Sequence, residues 1–173
     1  MSGLRPLREF ATDEYPPKTQ YVDVTYSHEH DDAAHARVRD KHDAVIDEPP
    51  WVPIGNDTAP CPVDYLVLAA AGCQVEVLRQ ALEKARIEEF SIHAHAVRGR
   101  RTVEPPPEPM PEYIRSRVGS IDLHLTVETT AEFEARARRC LEVADQACIV
   151  SRSIEEGLDV PLSKELTVRT VDG

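Results

Sequence analysis

The stretch PVDYLVLAAAGCQVEVLRQALEKARI, residues 62–87, reads as one long helix with two unlike halves. Pro62 suits the first turn, where its missing N–H has no partner to lose. Asp64 adds negative charge near the positive end of the helix dipole. From Leu66 to Cys73 the helix is apolar on every side, and a helix without a wet face has to be wrapped by other elements. The Ala and Gly residues of that half admit close approach of a neighbouring backbone. After Gln74 the pattern turns amphipathic, with Val77, Leu78 and Leu82 inward and Arg79, Glu83 and Lys84 mostly outward. One end of the helix is thus expected to be buried and the other to reach the surface.

Before this helix, YVDVTY (21–26) is rich in strand formers and DAVIDEPP (43–50) is a short strand stopped by prolines. HDDAAHARVRD (30–40) is ambiguous; if extended, it puts Ala34, Ala36 and Val38 on one side. WVPIGNDTAPC (51–61) is a loop. After the helix, SIHAHAVRGR (91–100) is a strand with Ile92, Ala94 and Ala96 on one face. VEPPPEPMPE (103–112) is a proline-dense extended excursion. SIDLHLTVE (120–128) is the clearest strand, with Ile121, Leu123, Leu125 and Val127 on the core side. Thr129 with Glu132 forms a capping-box pattern. The helix after it places Phe133, Ala137, Cys140 and Ala144 on one face. A short helical turn after Cys148 closes at Gly157, a residue suited to a left-handed C-cap, and LTVRT (166–170) is a last strand. The expected class is α+β, with antiparallel hairpins packed around central helices. Residues 1–20 read as an irregular lead-in, and 21–173 as a single domain carrying the 103–112 excursion.

The formal net charge of -11 leaves no basic stripe to neutralise phosphates, which speaks against nucleic acid, and it disfavours anionic membranes. No segment approaches about 20 continuous apolar residues, the length needed to span a bilayer. The opening MSGLRPLREF lacks the apolar core of a signal peptide, so a cytoplasmic setting with reduced thiols is the expectation. No glycine-rich phosphate loop follows a strand, no internal repeat is present, and no cofactor is indicated.

Four cysteines stand at 61, 73, 140 and 148, with no close CxxC pair, which disfavours a four-thiolate zinc site. Cys73 and Cys148 share a setting: each is attached to a helical element and flanked by small or apolar residues. Near the start of a helical turn, amide dipoles at Cys148 would favour the thiolate, and Arg152 is close in sequence. Each thiol alone also fits a buried structural role. Cys140 faces the core stripe of its helix. Cys61, in the loop APCP, is either a third redox partner or a half-exposed loop thiol. His28 with His30, and His93 with His95, could each supply two metal ligands if a third arrived from elsewhere, though such histidines are more often partly exposed residues on the wetter face of a strand. Asp47 with Glu48, and Glu155 with Glu156, form no specific acid–base pair. Ser151 and Ser153 lack a nucleophile-elbow glycine pattern. Trp51 and Tyr65 fit an apolar pocket, a core or a dimer contact.

Taken together, the segments DEPP, GNDTAPCPVDYLVLAAAGC and ACIVSRSIEEGLDV resemble the two cysteine motifs of the OsmC/Ohr family, and the resemblance covers about residues 21–170. It implies an OsmC-like fold in an intertwined homodimer, with antiparallel sheets wrapped around two long central helices. It also implies a thiol-dependent peroxidase that acts on organic hydroperoxides and is regenerated by an external dithiol. In that scheme Cys73 is the peroxidatic thiol and Cys148 the resolving thiol, joined by a disulfide after a Cys73 sulfenic acid. The family pairs an active-site Arg with a Glu placed directly after the helix-starting proline. Here Val63 stands in the Glu position, followed by Asp64, and Arg37 and Arg39 are the candidates for the Arg. Ile149 stands where the second motif commonly has proline. The lost Glu keeps open a non-peroxidase redox sensor or a small-molecule binding dimer on the same scaffold.

Overall fold

The computed structural model describes residues 22–26, 33–39, 41–53, 55–102, 116–157 and 162–170. The order is β1 (Val22–Tyr26), β2 (Ala34–Val38), β3 (His42–Ile46), α1 (Pro62–Lys84), β4 (Phe90–Thr102), β5 (Ser116–Thr129), α2 (Glu134–Ala147), α3 (Ile149–Gly157) and β6 (Leu162–Thr170). The chain divides into two compact units, residues 1–62 and 63–173.

In the first unit, β1, β2 and β3 form an antiparallel sheet in that order. The ambiguous segment is therefore a strand. Its alternation buries Ala36, while His35 and Arg37 face water. The β2–β3 turn closes with Lys41 N–H donating to Val38 O, and Arg39 takes a left-handed φ of 53° inside it. Beyond β3 the loop is organised by one carboxylate. Asp47 is buried and accepts from the amides of Glu48 (2.7 Å), Asn56 (3.4 Å) and Thr58 (2.9 Å) and from the Thr58 hydroxyl (2.8 Å). Its own N–H donates to Pro60 O. Gly55 is required here, because a Cβ would collide with the carbonyls of Glu48 and Pro49. The donors, the Thr58 amide foremost and then its hydroxyl, hold the Asp47 carboxyl down at about 2.

In the second unit the sheet order is β4-β5-β6. The strict alternation of β5 is realised: Ile121, Leu123, Leu125 and Val127 are fully buried. That face packs against Leu78 and Leu82 of α1 and Ala137, Cys140, Leu141 and Ala144 of α2. α1 ends with Arg86 at a φ of 56°, where Arg86 N–H donates to Glu83 O and Ile87 N–H to Leu82 O. This is a Schellman closure made by an arginine, completed by the buried Leu82 and Ile87. Lys164 of β6 is almost enclosed and lies 2.8 Å from Asp145 and 3.2 Å from Glu155, tying the strand to α2 and α3.

Several local expectations are corrected. β5 and β6 run parallel, so the sheet is mixed; two parallel neighbours need a crossover, and α2 with α3 provides it. Thr129 caps no helix, since it ends β5 and its hydroxyl donates to Glu89 O (2.8 Å). The turn Ala131–Phe133 instead begins at Thr130, without a side-chain cap. Gly157 is the last residue of α3 and has no left-handed φ. Ala94 is exposed, so only Ile92 and Ala96 of its trio pack partly inward. Within the single chain, Ala70 is the buried residue of the apolar half of α1, and Leu68 is 60% exposed. The lead-in, His28, His30 and the 103–112 excursion lie outside the described residues. Among the described residues no helix is long and apolar enough to cross a membrane.

Two outcomes are expected. Ala70 is enclosed by Ile121 and Ile154, so Ala70→Leu should overpack that cluster by about 1–3 kcal/mol, lowering the melting temperature by roughly 5 °C. Asp47→Asn should destabilise the chain at neutral pH. The folded carboxyl titrates below its ordinary 3.8, so its stabilisation is complete above that value and is lost as pH falls toward about 2. Urea melts should therefore separate the two proteins at pH 7 and converge as pH drops through this window.

Candidate functional site

The site is assembled where α1 meets the α2–α3 junction. Cys148 ends one helix and starts the next. Its N–H donates to Ala144 O (3.2 Å), and its carbonyl accepts from Arg152 N–H (3.1 Å). Its backbone is extended, with φ -70° and ψ 110°, as the residue before a helix requires. The side chain is fully buried. Its sulfur acts as the cap of α3, accepting from Ser151 N–H at 3.5 Å and from the Ser151 hydroxyl at 3.2 Å.

Cys73 of α1 presents its half-buried sulfur to the same turn. The first amides of a helix have no partner within it; here those of Val150 and Ile149 reach the Cys73 sulfur, and the Cys148 thiol lies beside it. Burial pushes the Cys73 thiol up; the amides of Val150 and Ile149 pull against this, while Cys148 pushes the same way as burial. Both thiols are free, and their adjacency sets a disulfide within reach. The two cysteines singled out from the sequence are thus brought together across 75 residues of chain, since 148 − 73 = 75.

The remaining candidates have local partners and settings of their own. Arg37 makes a close pair with Asp43 on the neighbouring strand (2.6 Å), and Arg39 occupies the β2–β3 turn. Asp64 is exposed in the first turn of α1, and Val63 is half-buried. Arg152 turns outward to Glu156 (2.9 Å). Cys140 lies in the core, where burial raises its thiol, in keeping with a structural role. Cys61 is buried rather than half-exposed. His93 lies 3.6 Å from Glu128, and His95 stacks near His124 with ring centroids 6.2 Å apart. No group of three or more His, Cys, Asp or Glu suited to a metal ion occurs among the described residues. Trp51 is 72% exposed.

Sequence reasoning missed Gln74 and Ser151. Both are fully buried, and Gln74 Nε2 donates to the Ser151 hydroxyl at 2.9 Å. The available signal was a glutamine breaking an apolar run immediately after Cys73, and a serine three residues after Cys148.

A family model described as OsmC-like protein matches residues 55–163, more than half of the chain. No curated protein matches the chain significantly. Among solved structures, an OsmC-like protein of unknown function from Vibrio cholerae superposes with a TM-score of 0.63 at 15% identity, covering 86% of this chain and 99% of that one. An OsmC-like protein from Mycoplasma pneumoniae gives 0.62 at 12% identity, covering 88% and 98%. An organic hydroperoxide resistance protein from Elizabethkingia anophelis gives 0.59 at 17% identity, covering 88% and 96%. These likenesses carry the fold, a mixed α/β arrangement with two main helices and an antiparallel and a mixed sheet. With the family model spanning both cysteine segments, the chain belongs to the OsmC/Ohr family.

Proposed function

We propose that this protein is a thiol-dependent peroxidase that reduces organic hydroperoxides. The observation that carries the reading is the Cys73 sulfur placed beside Cys148 and the first amides of α3. The Cys73 thiolate attacks one peroxide oxygen; an S–O bond forms, the O–O bond breaks, and the alkoxide leaves as the alcohol after taking a proton. Cys148 then attacks the Cys73 sulfenic acid; the S–S bond forms and the oxygen leaves as water. An external dithiol restores both thiols by exchange. The amides of Ile149 and Val150 stabilise negative charge at the Cys73 sulfur. Ile149 has an N–H that the proline common at this motif position lacks, which adds a donor.

Arg37 or Arg39 is proposed to supply the positive charge that the family scheme assigns to an arginine, with Asp64 as the nearest carboxylate in sequence to the lost Glu. The working form is proposed to be the intertwined homodimer. The exposed Leu68 and Ala69 on α1, and Ile149, 77% exposed at the start of α3, are the apolar surface a second copy would cover. A cytoplasmic setting, where cellular reductants keep thiols available, is proposed as well. A second reading, a redox sensor without efficient turnover, is favoured by Val63 at the Glu position and by the raised Cys73 thiol.

One equivalent of cumene hydroperoxide followed by peptide mapping tests the proposal. A rapid Cys73–Cys148 disulfide is expected, and thiols that stay reduced for many minutes would refute it. Steady turnover with a dithiol separates the peroxidase from the sensor. Cys73→Ser should drop peroxide consumption to background, and Cys148→Ser should permit one round of oxidation and then stall. Alkylation of Cys73 against pH should show a midpoint above the ordinary thiol value of 9.0. Because Cys148 helps raise that midpoint, Cys148→Ser should lower it.

A further inference from the structure

We infer that Gln74 and Ser151 are positioning residues that hold the Cys148 sulfur for attack on Cys73. The inference rests on the redox reading of the two thiols. The chain of contacts runs Gln74 Nε2 to Ser151 Oγ at 2.9 Å, then Ser151 Oγ to Cys148 Sγ at 3.2 Å. A hydroxyl has a single proton. With that proton given to the Cys148 sulfur, Ser151 needs a donor on its other side, and Gln74 supplies it. The Ser151 amide adds a second donor to the same sulfur. The two lone pairs of the Cys148 thiol therefore accept from the Ser151 side, which leaves its S–H to face Cys73, and loss of that proton puts the third lone pair of the thiolate on the same line.

The placement of Gln74 is what gives this network a redox meaning. It is the residue after Cys73, so its bond to Ser151 ties α1 to α3 beside the gap that the disulfide would close. It sits fully buried on a helix otherwise given to apolar contacts. Its Oε1 is also buried and finds no partner among the described residues. A glutamine in such a place weakens the fold relative to leucine, so packing does not explain it. Conflicts of this kind between a residue and its local surroundings concentrate at functional positions.

In the step concerned, Cys148 Sγ bonds to the sulfur of Cys73–S–OH, the S–O bond breaks, and the hydroxyl leaves as water with the Cys148 proton. A sulfur that swings away from this line leaves the sulfenic acid exposed to a second peroxide, which carries it to sulfinic acid.

The test uses the wild-type protein with Gln74→Leu, Ser151→Ala and Ser151→Thr. Each is given one equivalent of cumene hydroperoxide, with dimedone trapping to report the sulfenic acid and mass mapping to report the disulfide. Sulfenic acid should form at the wild-type rate in all four. The disulfide should form at least about tenfold more slowly in Gln74→Leu and Ser151→Ala, within the roughly hundredfold that a 1 Å misplacement of a reacting atom can cost, with sulfinic acid accumulating under excess peroxide. Ser151→Thr, which keeps the hydroxyl, should stay with wild type. Gln74→Leu should melt no lower than wild type, since it removes the orphaned oxygen along with the donor. Wild-type disulfide rates in both Gln74→Leu and Ser151→Ala would overturn the inference, as would equal slowing in Ser151→Thr and Ser151→Ala, which would assign the effect to packing. Diamide provides the second arm: it takes two protons and two electrons from a pair of thiols, becomes a hydrazine, and makes the same disulfide without peroxide. A wild-type protein that answers diamide alone would end the peroxidase reading, while the variants' diamide rates would still decide the positioning of Cys148.

Discussion

The second unit depends on the contact between α1 and the inner face of β5. Leu78 and Leu82 meet Leu123, Leu125 and Val127 with no side-chain surface left to water, and α2 closes the same core through Ala137, Leu141 and Ala144. Burial of this kind is the main favourable term in folding, and it fixes the rotation of α1 about its axis. Once that rotation is set, the residues one and two turns earlier have no freedom left. Ala70 and Gln74 must point inward with Leu78, at a spacing of four, and Cys73 must lie at the margin. The apolar core thus aims a thiol that takes little part in it.

The α2–α3 junction supplies the other half by a different force. A helix begins with amides that have no internal partner, and here those donors are turned on two sulfurs. Cys148 takes the Ser151 amide as a cap would, while Val150 and Ile149 address Cys73. The arrangement places backbone dipoles at both thiols and adds the Ser151 hydroxyl at Cys148. It also accounts for the opposing influences at Cys73, where burial wins over the amides. A thiol tuned in this way is nucleophilic only to the extent that further positive charge is brought to it.

The first unit is organised on another principle. Its loop after β3 is held by a single buried carboxylate that collects three amides and a hydroxyl, with Gly55 making room for two carbonyls. Loops bury polar backbone only when such partners exist, which is why Asp47, which the sequence offered only as half of a carboxylate pair without specific chemistry, becomes a structural centre.

The sequence by itself determined the long helix, the alternating strand at 120–128 and the core stripe of α2. These patterns repeat at the helix and strand periods, and each residue's environment follows from its own element. Through their segment motifs, the family and its cysteine pair were legible as well. Tertiary structure alone decided the parallel pairing of β6, the role of Asp47 and the Gln74–Ser151–Cys148 chain. A parallel neighbour, an orphaned amide or a buried hydrogen bond is a relation between distant segments, fixed only when packing brings them together. Gln74 stands next to Cys73 in the sequence, but its partner is 77 residues away, and no local period connects them.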